Sequence, residues 1–336
     1  MDLSPFGYAK RREAVVILGA GATRGASFES AAPVLKPPLD ADFFLQLRAS
    51  DLGHDDDAQR LLKFLDEEFG DIELSMEAFY SQVYLHDQFV GDFPRGKGRR
   101  RRYEWARRYF LRVIPPLFKL TLGAERCDWH DHLVSALRPG DTVVTFNYDC
   151  LIDYSLRDIA KRNWDSETGY GLDARGYLDA WRDHSGIGRF PVKQIKLLKL
   201  HGSMNWGTDA QGRLQLLATP YDSRSEDDLC IVPPLWQKSF DEPPFHDVWM
   251  AAREQLTSTK ALMMIGYSLP LTDVYTQAML RIDVQPLDFL LIANPDAEAR
   301  ERIRRVLRSA ITTGTRVVEV EGMEEVGELL IPWAPG

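Results

Sequence analysis

Five consecutive apolar residues, Ala14–Leu18, run directly into Gly19-Ala20-Gly21. An uninterrupted apolar run that ends in glycines reads as a strand buried on both faces and turning into a helix. Comparable runs recur at 142–146, 195–200, 229–232, 261–265, 289–293 and 316–320, most of them separated by helix-compatible stretches. Strands alternating with helices predict an α/β fold, a Rossmann-like, doubly wound and mostly parallel sheet. From about residue 36 to 125 the pattern changes. Segments 43–48, 59–69, 76–89 and 103–120 carry apolar residues three and four apart, with no strand among them, and predict a helical insertion. The expected organisation is a Rossmann-type domain from residues 1–35 and 126–336, interrupted by a helical insertion over 36–125.

Two further stretches break the alternation. Residues 163–190 are rich in Gly, Asp and aromatic residues without a period and read as a long connection, which compact domains keep mainly where it is functional or covers a site. Pro233-Pro234 and Pro243-Pro244 bracket residues 235–242 and push their neighbours away from helix, as a lid or rim segment would require.

Polar residues at the ends of the predicted strands are the candidate chemistry, because open α/β sheets bind ligands outside the carboxyl ends of their strands. Gly19, Gly21 and Gly25 form Gly-x-Gly-x-x-x-Gly, with Arg24 where the dehydrogenase fingerprint has its third glycine. Such a turn lets backbone approach phosphate oxygens, and Thr23 adds a hydroxyl donor; glycine turns also follow first strands in α/β proteins that bind no nucleotide. Asn147 and Asp149 lie in Thr145-Phe146-Asn147-Tyr148-Asp149. Both are recognition residues in this position, and both, Asp149 more comfortably than Asn147, also read as caps of a helix beginning near Cys150. His201 ends the run 195–200 beside Gly202; it is either a satisfied structural histidine or a base that titrates near neutral pH. Gly266-Tyr267-Ser268 and Asn294-Pro295 close two further runs, able to bring backbone, a hydroxyl and an amide to phosphate or ribose. Simple turns explain each of these singly but not their recurrence at successive strand ends.

Composition narrows the class. With 336 residues the chain suits one large domain with an insertion, or two domains. At 44% hydrophobic and 27% charged it has a globular composition, and no apolar stretch approaches the roughly 20 residues that span a bilayer. The polar N-terminus lacks a secretory leader, which places the protein in the cytoplasm. Cys127, Cys150 and Cys230 are too scattered for a disulfide framework or a zinc ribbon, so no metal is expected. A net charge of −9 disfavours nucleic-acid binding by the surface as a whole. The exception is 95–112, where Arg95, Lys97, Arg99 to Arg102, Arg107, Arg108 and Arg112 face only Glu104. That run reads as a solvated helix face, an anion site, a contact for an acidic partner, or a nucleic-acid contact.

Taken in order, Gly19-Ala20-Gly21-Ala22, Thr145-Phe146-Asn147-Tyr148-Asp149, Leu200-His201-Gly202-Ser203, Gly266-Tyr267-Ser268-Leu269-Pro270 and Ala293-Asn294-Pro295 resemble the sirtuin-like superfamily. The resemblance spans most of the chain outside the helical insertion and is closest to bacterial sirtuin-like proteins of anti-phage defence, which hydrolyse NAD+. It implies that Gly19, Ala20, Gly21 and Thr23 hold the pyrophosphate. Asn147 then orients a water in the nicotinamide-ribose pocket, with Asp149 recognising the carboxamide or supporting Asn147. His201 is the general base, Gly266 and Ser268 bind phosphate or ribose, and Asn294 binds the adenosine ribose. The implied activity is an NAD+ glycohydrolase, with NAD+ as substrate, acting as the effector of an abortive-infection system. Assembly as a homo-oligomer, or a separate chain such as a HerA-type ATPase, would gate it, with the run 95–112 as a candidate contact. Two other readings follow from the same residues. One is a non-catalytic NAD+ or ADP-ribose sensor. The other is an NAD-dependent protein deacylase, weakened because three scattered cysteines cannot build that group's four-cysteine zinc module. Whether NADP+ is also cleaved does not follow from the residues.

Overall fold

A computed structural model of the chain describes residues 13–25, 35–70, 74–90, 97–122, 126–182, 193–211, 213–222, 229–234, 240 and 243–330, the side chains of 87–90 and 97–100 excepted. In chain order the elements are β1 (Ala14–Leu18), α1 (Ala20–Arg24), α2 (Phe43–Ala49), α3 (Asp56–Phe69), α4 (Met76–Val90), α5 (Lys97–Leu122), α6 (Asp128–Ala136), β2 (Thr142–Thr145), α7 (Leu151–Ser155), β3 (Arg175–Gly176) and β4 (Lys196–Lys199). There follow β5 (Trp206–Thr208), β6 (Leu214–Leu216), α8 (Phe245–Ser258), β7 (Ala261–Ile265), α9 (Val274–Asp283), β8 (Phe289–Ala293), α10 (Ala297–Val306), β9 (Arg316–Val320) and α11 (Met323–Leu329).

Six strands form one sheet in the order β4-β2-β1-β7-β8-β9, and every pairing is parallel. Counted among themselves the strands run 3-2-1-4-5-6, so the winding reverses between β1 and β7. The fold is a Rossmann-like, doubly wound α/β sheet, and this reversal is where such sheets open a crevice. All residues of β1 and β8 are buried, as parallel strands covered on both faces must be. The strands also end level with one another. Leu18 pairs with Thr145 and with Ile265, Thr145 with Lys199, Ile265 with Ala293, and Ala293 with Val320. One more bond extends each ladder past its last pair: Phe146 N donates to Leu18 O, Leu200 N to Thr145 O, Gly19 N to Ile265 O, and Gly266 N to Ala293 O. The residues after each strand therefore emerge along one edge.

The chain divides into two compact units. One comprises Met1–Phe28, Ala124–Ala218 and Phe240–Gly336; the other comprises Glu29–Gly123 and Thr219–Ser239. The second unit is helical from α2 to α5 and is held by aromatic rings: Phe79 packs on Phe44, Phe64, Phe69 and Phe110 at centroid distances of 5.0, 6.3, 5.8 and 5.4 Å. Asp55 starts α3 by accepting from the Asp57 and Ala58 amides, and Gly70, at φ 69°, ends it. Pro115 and Pro116 lie inside α5 rather than ending it. Burial of Val113, Ile114, Leu117 and Phe118 around them offsets a cost of about 3 kcal/mol for each proline.

Two expectations are corrected. The run 229–232 is not a strand; only Ile231 forms an isolated bridge, because Pro233 and Pro234 follow and supply no amide for a ladder. Within the long connection, β3 joins β6 and β5 in a small three-stranded sheet of its own, with order β3-β6-β5, that was not anticipated. Of that connection, residues 183–190 lie outside the described residues, as does most of the expected lid at 235–242.

Candidate functional site

Where the winding reverses, the turns after β1 and β7 are pressed together. Gly21 N donates to Gly266 O at 2.8 Å, and Ala22 N returns to Gly19 O at 2.9 Å. A Cβ at Gly19 would meet Tyr267 Cα at 2.5 Å, one at Gly21 would meet Gly266 O at 2.7 Å, and one at Gly266 would meet Ala22 N at 2.0 Å. The glycines thus exist first for backbone-to-backbone contact between two turns, and the Gly19 and Gly21 amides are occupied by it. Ala20, in contrast, is exposed at the head of α1. Gly266 has φ 62°, and the buried Leu269 has φ 48°, so the turn after β7 stores strain, which concentrates at functional sites.

Beside this junction three predicted residues form one chain of hydrogen bonds. Asn147 Nδ2 donates to Gly19 O at 3.0 Å and to Thr23 Oγ1 at 3.2 Å. Thr23 Oγ1 in turn donates to Asp149 Oδ2 at 2.9 Å. Because Gly19 O can only accept, the orientation of the Asn147 amide is fixed by its partners. Its Oδ1 carries no bond among the described residues, and the side chain is half-buried. Thr23 and Asp149 are both buried, at 2% and 3% exposure, so they act beneath Asn147 instead of facing a ligand.

Burial pushes the Asp149 carboxyl above its ordinary value, against the pull of Lys199. Lys199 is wholly buried; its Nζ donates to Asp149 O at 2.6 Å and to Asp153 Oδ2 at 2.8 Å. Burial disfavours that ammonium most, yet Asp153, Cys150 and Asp149 together outweigh it and hold the lysine above its usual value. Tyr170 OH donates to Asp153 Oδ1 at 2.6 Å, and Asn205 Nδ2 donates to the Tyr170 oxygen at 3.0 Å. Sequence reasoning missed this network. Its one visible trace is Lys199, the second of two lysines within the run 195–200.

His201 lies against the β2 end, 9% exposed among rings. Its centroid is 5.1 Å from Phe146, 6.4 Å from Tyr148 and 6.5 Å from Phe240, and Phe146 stacks on Tyr267 at 4.4 Å. The rings of Phe146 and Tyr148, the two chain neighbours of Asn147, therefore flank His201 in an aromatic wall. Gly202, at φ 78°, turns the chain away at once.

The remaining candidates are placed differently. Asn294 Nδ2 donates to Tyr267 O at 3.2 Å and its Oδ1 accepts from Asp296 N at 2.9 Å, so both ends of the carboxamide tie turns together. Ser268 is exposed, and its carbonyl oxygen accepts from Arg302 Nε and Nη2 at 3.0 and 2.9 Å. Cys150 is buried, and burial pushes its thiol up to about 12, which leaves no thiolate at neutral pH.

No protein-family model and no curated protein matches the chain. Solved structures do. A Sir2 enzyme is 16% identical, with 96% of this chain and 90% of that chain covered, at a TM-score of 0.40. A Sir2 homologue in complex with 2'-O-acetyl ADP ribose is 11% identical over 89% of this chain and 92% of that one, at a TM-score of 0.34. A Sir2–peptide–NAD+ complex is 12% identical over 94% and 91%, also at 0.34. At these identities and scores the chemistry of the site stands on its own residues.

In the helical unit the basic run is less free than its sequence reads. Arg102 pairs with Glu67 and, at 3.1 Å, with Glu68, and Arg108 pairs with Glu104 at 3.2 Å. Arg95 lies outside the described residues. Among the described residues no helix is long and apolar enough to cross a membrane.

Proposed function

We propose that the protein is an NAD+ glycohydrolase that cleaves NAD+ to nicotinamide and ADP-ribose. The observation that carries this reading is the fixed Asn147 amide, held on Gly19 and Thr23 at the edge of the sheet where the winding reverses, with the ring of its chain neighbour Phe146 packed on His201. NAD+ carries a cationic nicotinamide, so the bond to the anomeric carbon breaks with its electron pair passing to the ring nitrogen. The oxocarbenium-like centre that develops needs a positioned water more than a strong nucleophile. Asn147 Oδ1 accepts a hydrogen bond from that water and holds its oxygen toward the anomeric carbon; His201 takes the one proton released as the new C–O bond forms. The Phe146, Tyr148 and Tyr267 rings give the flat nicotinamide an apolar wall. Ala20 and Ser268, the exposed members of the two turns, offer contacts to phosphate and ribose. Thr23, Asp149 and Lys199 act beneath, holding Asn147.

The proposed setting rests on the motif resemblance: an NAD+-depleting effector of anti-phage defence, restrained until assembly or a separate chain such as a HerA-type ATPase releases it. The test is nicotinamide release from NAD+ and NADP+, by the protein alone and with lysate of phage-infected cells. We expect release that Asn147→Ala and His201→Ala each reduce by at least about 100-fold, the scale of a lost positioning or acid–base group. Release only on addition of an acylated peptide would make the protein a deacylase. Nucleotide binding without release in any condition would make it a sensor.

A further inference from the structure

The groove between α3 and α5, within the helical unit, encloses about 530 Å³ and is unlike the site above in every respect. Arg60, Lys63, Arg101, Arg102 and Trp105 line it, Phe64 forms its buried floor, and Glu67 is the one acid among its lining residues. Counting Asp57 and Glu68, which pair with Arg60 and Arg102, four cations against three carboxylates leave one net positive charge in a protein whose net charge is −9. Glu67 is itself engaged by Arg102 and, at 3.7 Å, by Lys63; Arg60 reaches Asp57 at 3.5 Å. Arg101 is exposed and makes no ion pair among the described residues. The indole of Trp105 stacks on Tyr109 at 5.7 Å with an interplanar angle of 7°, and Tyr109 OH donates to Asp55 Oδ1 at 3.2 Å. One face of a half-buried aromatic pair is thereby held rigidly among cations.

From this arrangement we infer that the α3–α5 groove binds a single strand of nucleic acid, with phosphates on Arg60, Lys63 and Arg101 and a base on the Trp105–Tyr109 pair. A strand is favoured over a lone nucleotide because the pattern continues along α5. Arg101, Trp105, Tyr109 and Arg112 fall four, four and three residues apart, on one side of the helix, with Arg112 exposed at the far end. They span about 16 Å, more than one nucleotide covers. Basic residues interleaved with aromatic platforms are what sequence-tolerant single-strand binding requires. The inference does not depend on NAD+ hydrolysis.

Fluorescence anisotropy of a labelled oligothymidylate against the full chain tests it. The expected result is binding whose logarithm falls with log salt at a slope of about −2, as for roughly three phosphate contacts on a single strand. Arg101→Glu and Arg112→Glu, both exposed and so neutral for folding, should each weaken it at least about tenfold, and Trp105→Phe should weaken it less than Trp105→Ala. Three outcomes would overturn the proposal: no binding at low salt, displacement by ADP with Arg112→Glu silent, or displacement by polyglutamate with Trp105→Ala silent. The second identifies a mononucleotide site and the third a face for an acidic protein.

Discussion

Thr23 shows how one hydroxyl is committed. It donates to Asp149 and accepts from Asn147, both at hydrogen-bond distance, the first out of solvent and the second partly so. Thr23→Val keeps the shape and removes both bonds, so a urea titration should show a loss of about 1–3 kcal/mol. Nicotinamide release should fall with it and return in Thr23→Ser; release unchanged in Thr23→Val would mean that Asn147 needs no support. A second residue, His130, governs pH behaviour. It is fully buried with Nδ1 3.0 Å from Cys127 Sγ, and burial lowers it to about 4. The same burial pushes the Cys127 thiol up to about 11, so both partners are neutral at pH 7. Since the folded value lies below the unfolded one of 6.5, the unfolded chain binds the extra proton between the two. The contribution is complete above pH 6.5 and is lost as pH falls toward about 4, worth about 3 kcal/mol. Unfolding free energies should therefore fall less steeply with acid in His130→Gln than in the natural chain; equal slopes would contradict the assignment.

Among elements, the pressed turns after β1 and β7 are the most demanding. Gly266 and Gly70 both have left-handed backbone, at φ 62° and 69°, but an added methyl meets Ala22 N at 2.0 Å in the first and nothing within 4 Å in the second. Gly70, with ψ −152°, sits where essentially glycine alone is found, so Gly70→Ala should cost about 1–3 kcal/mol, the conformational penalty alone. Gly266→Ala must also separate two backbones that define the site, so it should cost more and abolish nicotinamide release. Equal thermal midpoints in the two variants would refute the contrast. The sequence already marked Gly19, Gly21 and Gly266 as turn residues at strand ends. What it could not show is that they face each other, because β1 and β7 are neighbours only through the sheet order. The same holds for Asp149 and Asn294: their types suited a ligand, yet Thr23 and Tyr267 reach them first.

At the scale of the molecule, each compact unit has its own core. Phe79 is buried among four other rings of the helical unit. Phe79→Ala should cost about 3–5 kcal/mol. Hydrogen exchange should then show lost protection across α3, α4 and α5 while the amides of β1, β7 and β8 keep theirs. Loss of protection spread evenly over both would show one cooperative unit instead. The sequence by itself determined the α/β class, the parallel strands and the glycine, amide and imidazole residues at their ends, because hydrophobic period and turn chemistry are local properties. The tertiary structure alone decided which of those ends meet, which polar groups remain for a ligand once their neighbours have taken their hydrogen bonds, and that Lys199 and Asp153 are buried together. Those outcomes depend on strand order and on contacts between residues far apart in the chain, which no local pattern encodes.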